Sequence, residues 1–121
     1  MTHTVLIADD EPNIVVSLEF LLKREGHRVL IARDGAEALA MIRAERPRLV
    51  LLDAMMPGLS GFDLCETLRS DPALAGTRIV MLTARSREAD QARAMGAGAD
   101  EFVAKPFSTR DLAARIRGLL A

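Results

Sequence analysis

Two carboxylates, a hydroxyl and an ammonium occupy equivalent places in this sequence, each standing directly behind a short apolar run. Asp9 follows Val5-Leu6-Ile7-Ala8 and Asp53 follows Leu49-Val50-Leu51-Leu52. Thr83 follows Ile79-Val80-Met81-Leu82, and Lys105 follows Phe102-Val103-Ala104. If the runs are parallel strands, all four residues lie on the carboxyl edge of one sheet, where open α/β sheets bind ligands. Gathered there, they suit a metal ion and a phosphoryl group.

Each member has a bland reading beside the chemical one. Asp9-Asp10-Glu11 could be helix N-terminal charge, since acids favour the first turn of a helix, and for Glu11, beside Pro12, that suffices. Three successive acids exceed what a cap requires. With Asp53 they offer a hard-cation site, and Mg²⁺ prefers one or two carboxylates, several waters and phosphate oxygens. Asp53 could simply end a strand as a turn residue, yet crowded carboxylates repel one another unless a cation offsets them. A carboxylate held beside Mg²⁺ can attack phosphorus to give an aspartyl phosphate. Lys105 is either a surface lysine or the partner of Asp53 and then of its phosphoryl group. Thr83 is the weakest member alone, because Thr is common in strands. Pro106 offers a cis peptide that would aim Lys105 inward. His3 and His27 have no ligand-spaced neighbours, Cys65 lies on an apolar helix face, and the six Met serve mainly as filler.

The elements that must carry these residues are legible in the periodicity. Strand-like runs rich in Val, Ile and Leu fall near residues 4–8, 28–32, 48–52, 78–82 and 101–104, continuous as expected of parallel strands covered on both faces. Helices lie between them. The first has Pro12 in its opening turn, then Ile14, Leu18, Leu21 and Leu22, and ends at Gly26. Asp34 with Glu37 opens the second, which ends before Pro47; Ser60 with Asp63 opens the third. Ser86 is the candidate cap of the fourth, and Ser108 with Asp111 opens the fifth. Five strand–helix repeats predict a flavodoxin-like, doubly wound (βα)5 sandwich with a parallel sheet ordered 2-1-3-4-5. Strand 2 then forms an edge, and its end alone carries none of the site chemistry.

Size and composition are compatible with one domain spanning residues 1–121, within the usual range of roughly 100–150 residues. Such a chain buries enough surface to fold without a staple. The net charge of −1, from 17 acids and 16 bases, gives no support for nucleic-acid or membrane binding by this domain. Four Phe are the only aromatics, too few for a base-stacking platform. A single cysteine suits a reducing compartment. No signal peptide is evident, and no apolar stretch approaches the ~20 residues of a membrane helix. The cytoplasm is the expected location.

At this point the motifs match a family. Asp9-Asp10-Glu11-Pro12, Asp53 with Met56-Pro57 and Gly61, Thr83-Ala84, Gly98-Ala99-Asp100 and Lys105-Pro106-Phe107 stand in the order and spacing of a bacterial response-regulator receiver domain. The chain closely resembles that phosphoacceptor half of two-component systems from Val5 to Leu120, including the chemotaxis-regulator type. The resemblance implies phosphorylation at Asp53. It implies Mg²⁺ bound directly by Asp10, through water by Asp9, and by the Met55 carbonyl as well as Asp53. Lys105 would pair with the phosphoryl group, Thr83 would hydrogen-bond it, and Phe102 would be the switch aromatic that turns inward as Thr83 moves. The donor would be a phosphohistidine on a sensor histidine kinase or phosphotransfer protein. Ser60 replaces an Asp common in relatives, and Phe102 lacks the phenol of a Tyr.

The expected function is therefore a Mg²⁺-dependent phosphoacceptor that promotes its own phosphorylation and dephosphorylation but is no enzyme toward other substrates. The alternative is an aspartyl-nucleophile phosphohydrolase, disfavoured because Met55 stands where such enzymes place a second acid. A flavin carrier is disfavoured because Asp9-Asp10-Glu11 would repel a flavin phosphate. Dephosphorylation is expected to be slow, since Met55 and Arg85 cannot orient an attacking water. The face of helix 4, strand 5 and helix 5 is the expected output surface. It is also the candidate for a two-fold dimer on phosphorylation, with Asp100 meeting Arg115 of the other subunit. Helix 4, with Ala89, Ala92, Met95 and Gly96, should pack lightly.

Overall fold

A computed structural model describes residues 3–83 and 88–120, without the side chains of residues 88 and 89. Five strands are β1 (Thr4–Ala8), β2 (Arg28–Ala32), β3 (Leu49–Asp53), β4 (Arg78–Thr83) and β5 (Glu101–Ala104). Five helices alternate with them: α1 (Pro12–Arg24), α2 (Gly35–Glu45), α3 (Gly61–Arg69), α4 (Glu88–Gly96) and α5 (Thr109–Leu120). A short 3-10 turn at Pro72–Leu74, capped by the Asp71 side chain, lies between α3 and β4. The sheet is parallel throughout and ordered β2-β1-β3-β4-β5, as expected for the flavodoxin-like (βα)5 fold.

Continuous apolar strands divide their side chains between two helical layers by simple alternation. Leu6, Ala8, Val50, Leu52, Ile79 and Met81 pack with residues of α2, α3 and α4. Val5, Ile7, Leu49, Leu51, Val80 and Leu82 pack with α1 and α5. The three middle strands are buried on both sides, whereas β2 opens toward solvent as an edge.

Helix starts follow the side-chain chemistry of their caps. Asp34 accepts from the Glu37 amide at 2.8 Å, Ser60 from that of Asp63 at 3.2 Å, and Ser108 from that of Asp111 at 3.3 Å. The proposed cap Ser86, together with Ala84 and Arg85, lies outside the described residues, as does the Ala89 side chain. What is described of α4 agrees with light packing. Ala94 is buried, Met95 is exposed, and the Arg93 guanidinium lies 4.2 Å from the Phe62 ring centroid on α3.

Candidate phosphoacceptor and metal site

Strand register brings the sequence candidates to one edge. Asp53 is the last residue of β3 and pairs with Leu82, one place before Thr83 at the end of β4. Thr83 in turn pairs with Ala104, one place before Lys105. Asp9 follows β1 directly, and its amide donates to the Ala32 carbonyl at 3.2 Å. Asp53 and Thr83 are thus the closing residues of their strands rather than the residues after them, because their ladders run one place further than the apolar runs. Alternation then gives Asp53 the phase of Leu51 and Leu49, toward α1 and α5. Thr83 keeps the phase of Met81, on the same side as Phe102.

The edge is tightly built. A Cβ at Gly61 would overlap the Asp53 carbonyl oxygen and lie 2.8 Å from Ala54 Cα, so only glycine lets α3 start against the end of β3. The Met55 amide donates to Asp53 Oδ1 at 3.1 Å, while the Met55 side chain points to solvent. The Lys105–Pro106 peptide is cis, as expected from the sequence.

Asp9, Asp10 and Asp53 each offer a carboxylate oxygen, and these oxygens lie within 4.8 Å of one another. Asp9 and Asp53 are buried, whereas Asp10 is exposed at the rim. Burial pushes the Asp53 carboxyl up from its ordinary 3.8 to about 6; the Met55 amide opposes this, Asp9 adds to it, Lys105 opposes it, and Asp10 adds again. A carboxylate that is costly to charge, beside two more acids, is a site short of positive charge. Oxygen-only donors of this kind fit a hard divalent cation.

Lys105 pairs with Asp53 as the sequence suggests, its ammonium 3.6 Å from Asp53 Oδ2, and lies closer still to two acids the sequence did not assign to it, 2.9 Å from Asp9 Oδ2 and 2.8 Å from Glu11 Oε1. Burial lowers the Lys105 pKa, but hydrogen bonds to Glu11 and Asp9 and the Asp53 charge outweigh it, so the net shift is upward. Glu11, explained from sequence as helix-end charge, makes no side-chain cap for α1 and serves Lys105 instead. A contact between residues 94 apart has no signature in local spacing.

Two further features were not legible. Arg69 spans from α3 to the opposite edge of the sheet, donating to the Gly98 carbonyl (2.8 Å), the Thr77 carbonyl (2.7 Å) and Asp100 Oδ2 (2.8 Å). Asp100 also accepts from the Ile79 amide at 2.7 Å. Within the chain Asp100 pairs with Arg69 at 2.8 Å and Arg115 with Glu101 at 3.0 Å, so these are the contacts that the expected intersubunit pair of Asp100 with Arg115 would have to rearrange. His3 and His27 stack with ring centroids 5.7 Å apart, a contact between two strand starts. Cys65 is fully buried, and burial pushes its thiol up to about 11, as befits a core residue.

Comparison with known proteins agrees with this geometry. Residues 5–117 match the response regulator receiver domain family. The chain is 42% identical over 120 residues to the DNA-binding response regulator MtrA of Mycolicibacterium smegmatis, covering 99% of this chain and 51% of that protein. It thus spans about half the length of the curated relatives it matches. Among solved structures, a CheY-like response regulator receiver domain protein from Methanospirillum hungatei superposes with a TM-score of 0.91 at 32% identity, covering 99% of this chain and 94% of that one. The beryllofluoride-activated DrrB receiver domain gives 0.89 at 30% identity, covering 99% and 98%. No described helix is long and apolar enough to cross a membrane. The phosphohydrolase alternative finds no support among these relatives. The chain belongs to the response regulator receiver domains of two-component systems.

Proposed function

We propose that Asp53 accepts a phosphoryl group from a phosphohistidine on a sensor histidine kinase or phosphotransfer protein. The observation that carries this reading is the convergence of Asp9, Asp10 and Asp53 within 4.8 Å, with buried Lys105 beside them. An Asp53 carboxylate oxygen attacks phosphorus, the P–N bond breaks, and its electron pair returns to the imidazole nitrogen. Mg²⁺, once bound, would supply the positive charge that offsets the phosphoryl oxygens. Asp10, Asp53 and the Met55 carbonyl would hold it, with Asp9 acting through water. Asp9 suits that indirect role because both its oxygens already accept hydrogen bonds, from the Glu11 amide and Lys105. Lys105 and Thr83 would hold the phosphoryl oxygens.

Thr83 and Phe102 share one side of neighbouring strands, so a movement of Thr83 would be felt where Phe102 packs, half-buried against the core. The face of α4, β5 and α5 would respond, toward a partner or a second copy. Residues 1–121 act in this reading as a single receiver domain in the cytoplasm, with no catalysis on separate substrates and no nucleic-acid contact of its own.

Incubation with acetyl phosphate and Mg²⁺ should add one phosphoryl mass to the wild type and none to Asp53→Asn. Full labelling of that variant, or labelling without a divalent cation, would remove the assignment. Sedimentation with and without beryllofluoride tests the dimer, and a monomer in both would leave the face as a docking site for other proteins.

A further inference from the structure

We infer that Glu11 is a positioning residue that tethers Lys105 and so competes with the phosphoryl group for it; the inference rests on the function proposed above. Lys105 has three N–H donors and no acceptor. Two contacts are of hydrogen-bond length, to Glu11 at 2.8 Å and Asp9 at 2.9 Å, while Asp53 at 3.6 Å is beyond it. One N–H remains for a phosphoryl oxygen on Asp53, but drawing the ammonium from its present 3.6 Å toward Asp53 would lengthen a bond it already makes.

The two acids are not equivalent. Asp9 is fully buried and belongs to the carboxylate cluster able to take a cation. Glu11 is absent from that cluster, and its side chain is 56% exposed while that of Lys105 is 8% exposed. Its backbone is fixed at both ends: its amide donates to Asp9 Oδ1 at 2.9 Å, and its carbonyl accepts from the Val15 amide at 3.1 Å. The carboxylate therefore reaches Lys105 from a rigid base. When a cation draws on Asp9, Asp10 and Asp53, Glu11 remains the one acid whose charge serves Lys105 alone. It sets how readily the lysine crosses to the phosphoryl group.

The experiment measures beryllofluoride affinity at saturating Mg²⁺ for the wild type, Glu11→Gln and Glu11→Asp. Glu11→Asp keeps the charge but shortens the arm, so a tether and a general charge effect give different results. Both variants should bind beryllofluoride about two- to five-fold tighter, the range set by one largely exposed ion pair. The gain should vanish when Lys105→Met is added, because the effect passes through that lysine. Tightening in Glu11→Gln but not Glu11→Asp would overturn the tether, as would no change in either. Tightening that persists with Lys105→Met would overturn it too. Absence of binding to the wild type would instead remove the proposed function, and the tether with it.

Discussion

Two ionic clusters sit on opposite edges of the same sheet and are built to opposite ends. At the amino-terminal edge, Asp100 receives Arg69, the Ile79 amide and, at 3.5 Å, Arg78, while Arg69 also donates to two carbonyls. At the carboxyl edge, Asp9, Asp10, Glu11 and Asp53 gather around Lys105. The first cluster satisfies its partly buried charges and locks the turn before β5 to α3. The second leaves a surplus of negative charge and raises the Asp53 pKa. A satisfied cluster stabilises; an unsatisfied one is poised to take up a cation. Charged residues near a strand end say nothing by themselves about function, and the balance of donors against acceptors does.

The contrast breaks most visibly at Arg69. Arg69→Met strands Asp100 and two carbonyls and should cost about 2–4 kcal/mol of stability, read from urea melts. Arg69→Lys should recover little, since one ammonium cannot span three acceptors. A loss below about 1 kcal/mol would mean that the network contributes no more than an exposed pair.

At the other edge the sign reverses. Asp53→Asn should stabilise the metal-free protein at pH 7 by about 1–3 kcal/mol, because it removes a carboxylate whose ionisation the fold opposes. The folded pKa is raised from 3.8 to about 6, so the folded state binds more protons than the unfolded one in that window. The wild type therefore loses this contribution as pH rises from about 4 to about 6, and the gap to Asp53→Asn should open there and stay flat above. A gap that closes with rising pH would show Asp53 to be satisfied by Lys105 after all.

Mg²⁺ at about ten times its dissociation constant should stabilise the wild type by about 1.4 kcal/mol and Asp53→Asn less. The same increment should survive in Arg69→Met, whose damage lies on the far edge. The smallest effect belongs to the exposed Glu101–Arg115 pair: Arg115→Ala should shift stability by no more than about 0.5 kcal/mol. A larger shift would place Arg115 in a network reaching beyond Glu101.

Sequence made the fold legible because each signal was local. Strand runs, Pro12, and the caps Asp34, Ser60 and Ser108 all act within a few residues. Site membership was legible for a related reason: Asp9, Asp53, Thr83 and Lys105 sit at strand ends, and parallel order brings such ends together. Pairing within the site was only partly legible. The Lys105–Asp53 pair follows from their shared sheet edge, but which carboxylate lies nearest the ammonium depends on arm lengths and burial across three segments, so the Glu11 contact has no local signal. Arg69 carries no local signal, because its partner Asp100 is 31 residues away in the turn before β5. The 3-10 turn capped by Asp71 is too short to show in the sequence, because three residues carry no periodicity.

The alternation that places Asp53 with Leu51 and Thr83 with Met81 has a consequence for how this chain can vary. A layer of peptide bonds separates the side where Asp53 and Lys105 are set from the side where Phe102 packs. Substitutions beneath α1 and α5 and substitutions beneath α4 share few neighbours, so their free energies should add. Under the proposed function Thr83, at the end of β4, is where the two sides meet, so substitutions there should change the lifetime of the modified state and the strength of the response together, while those further down the strands change one at a time.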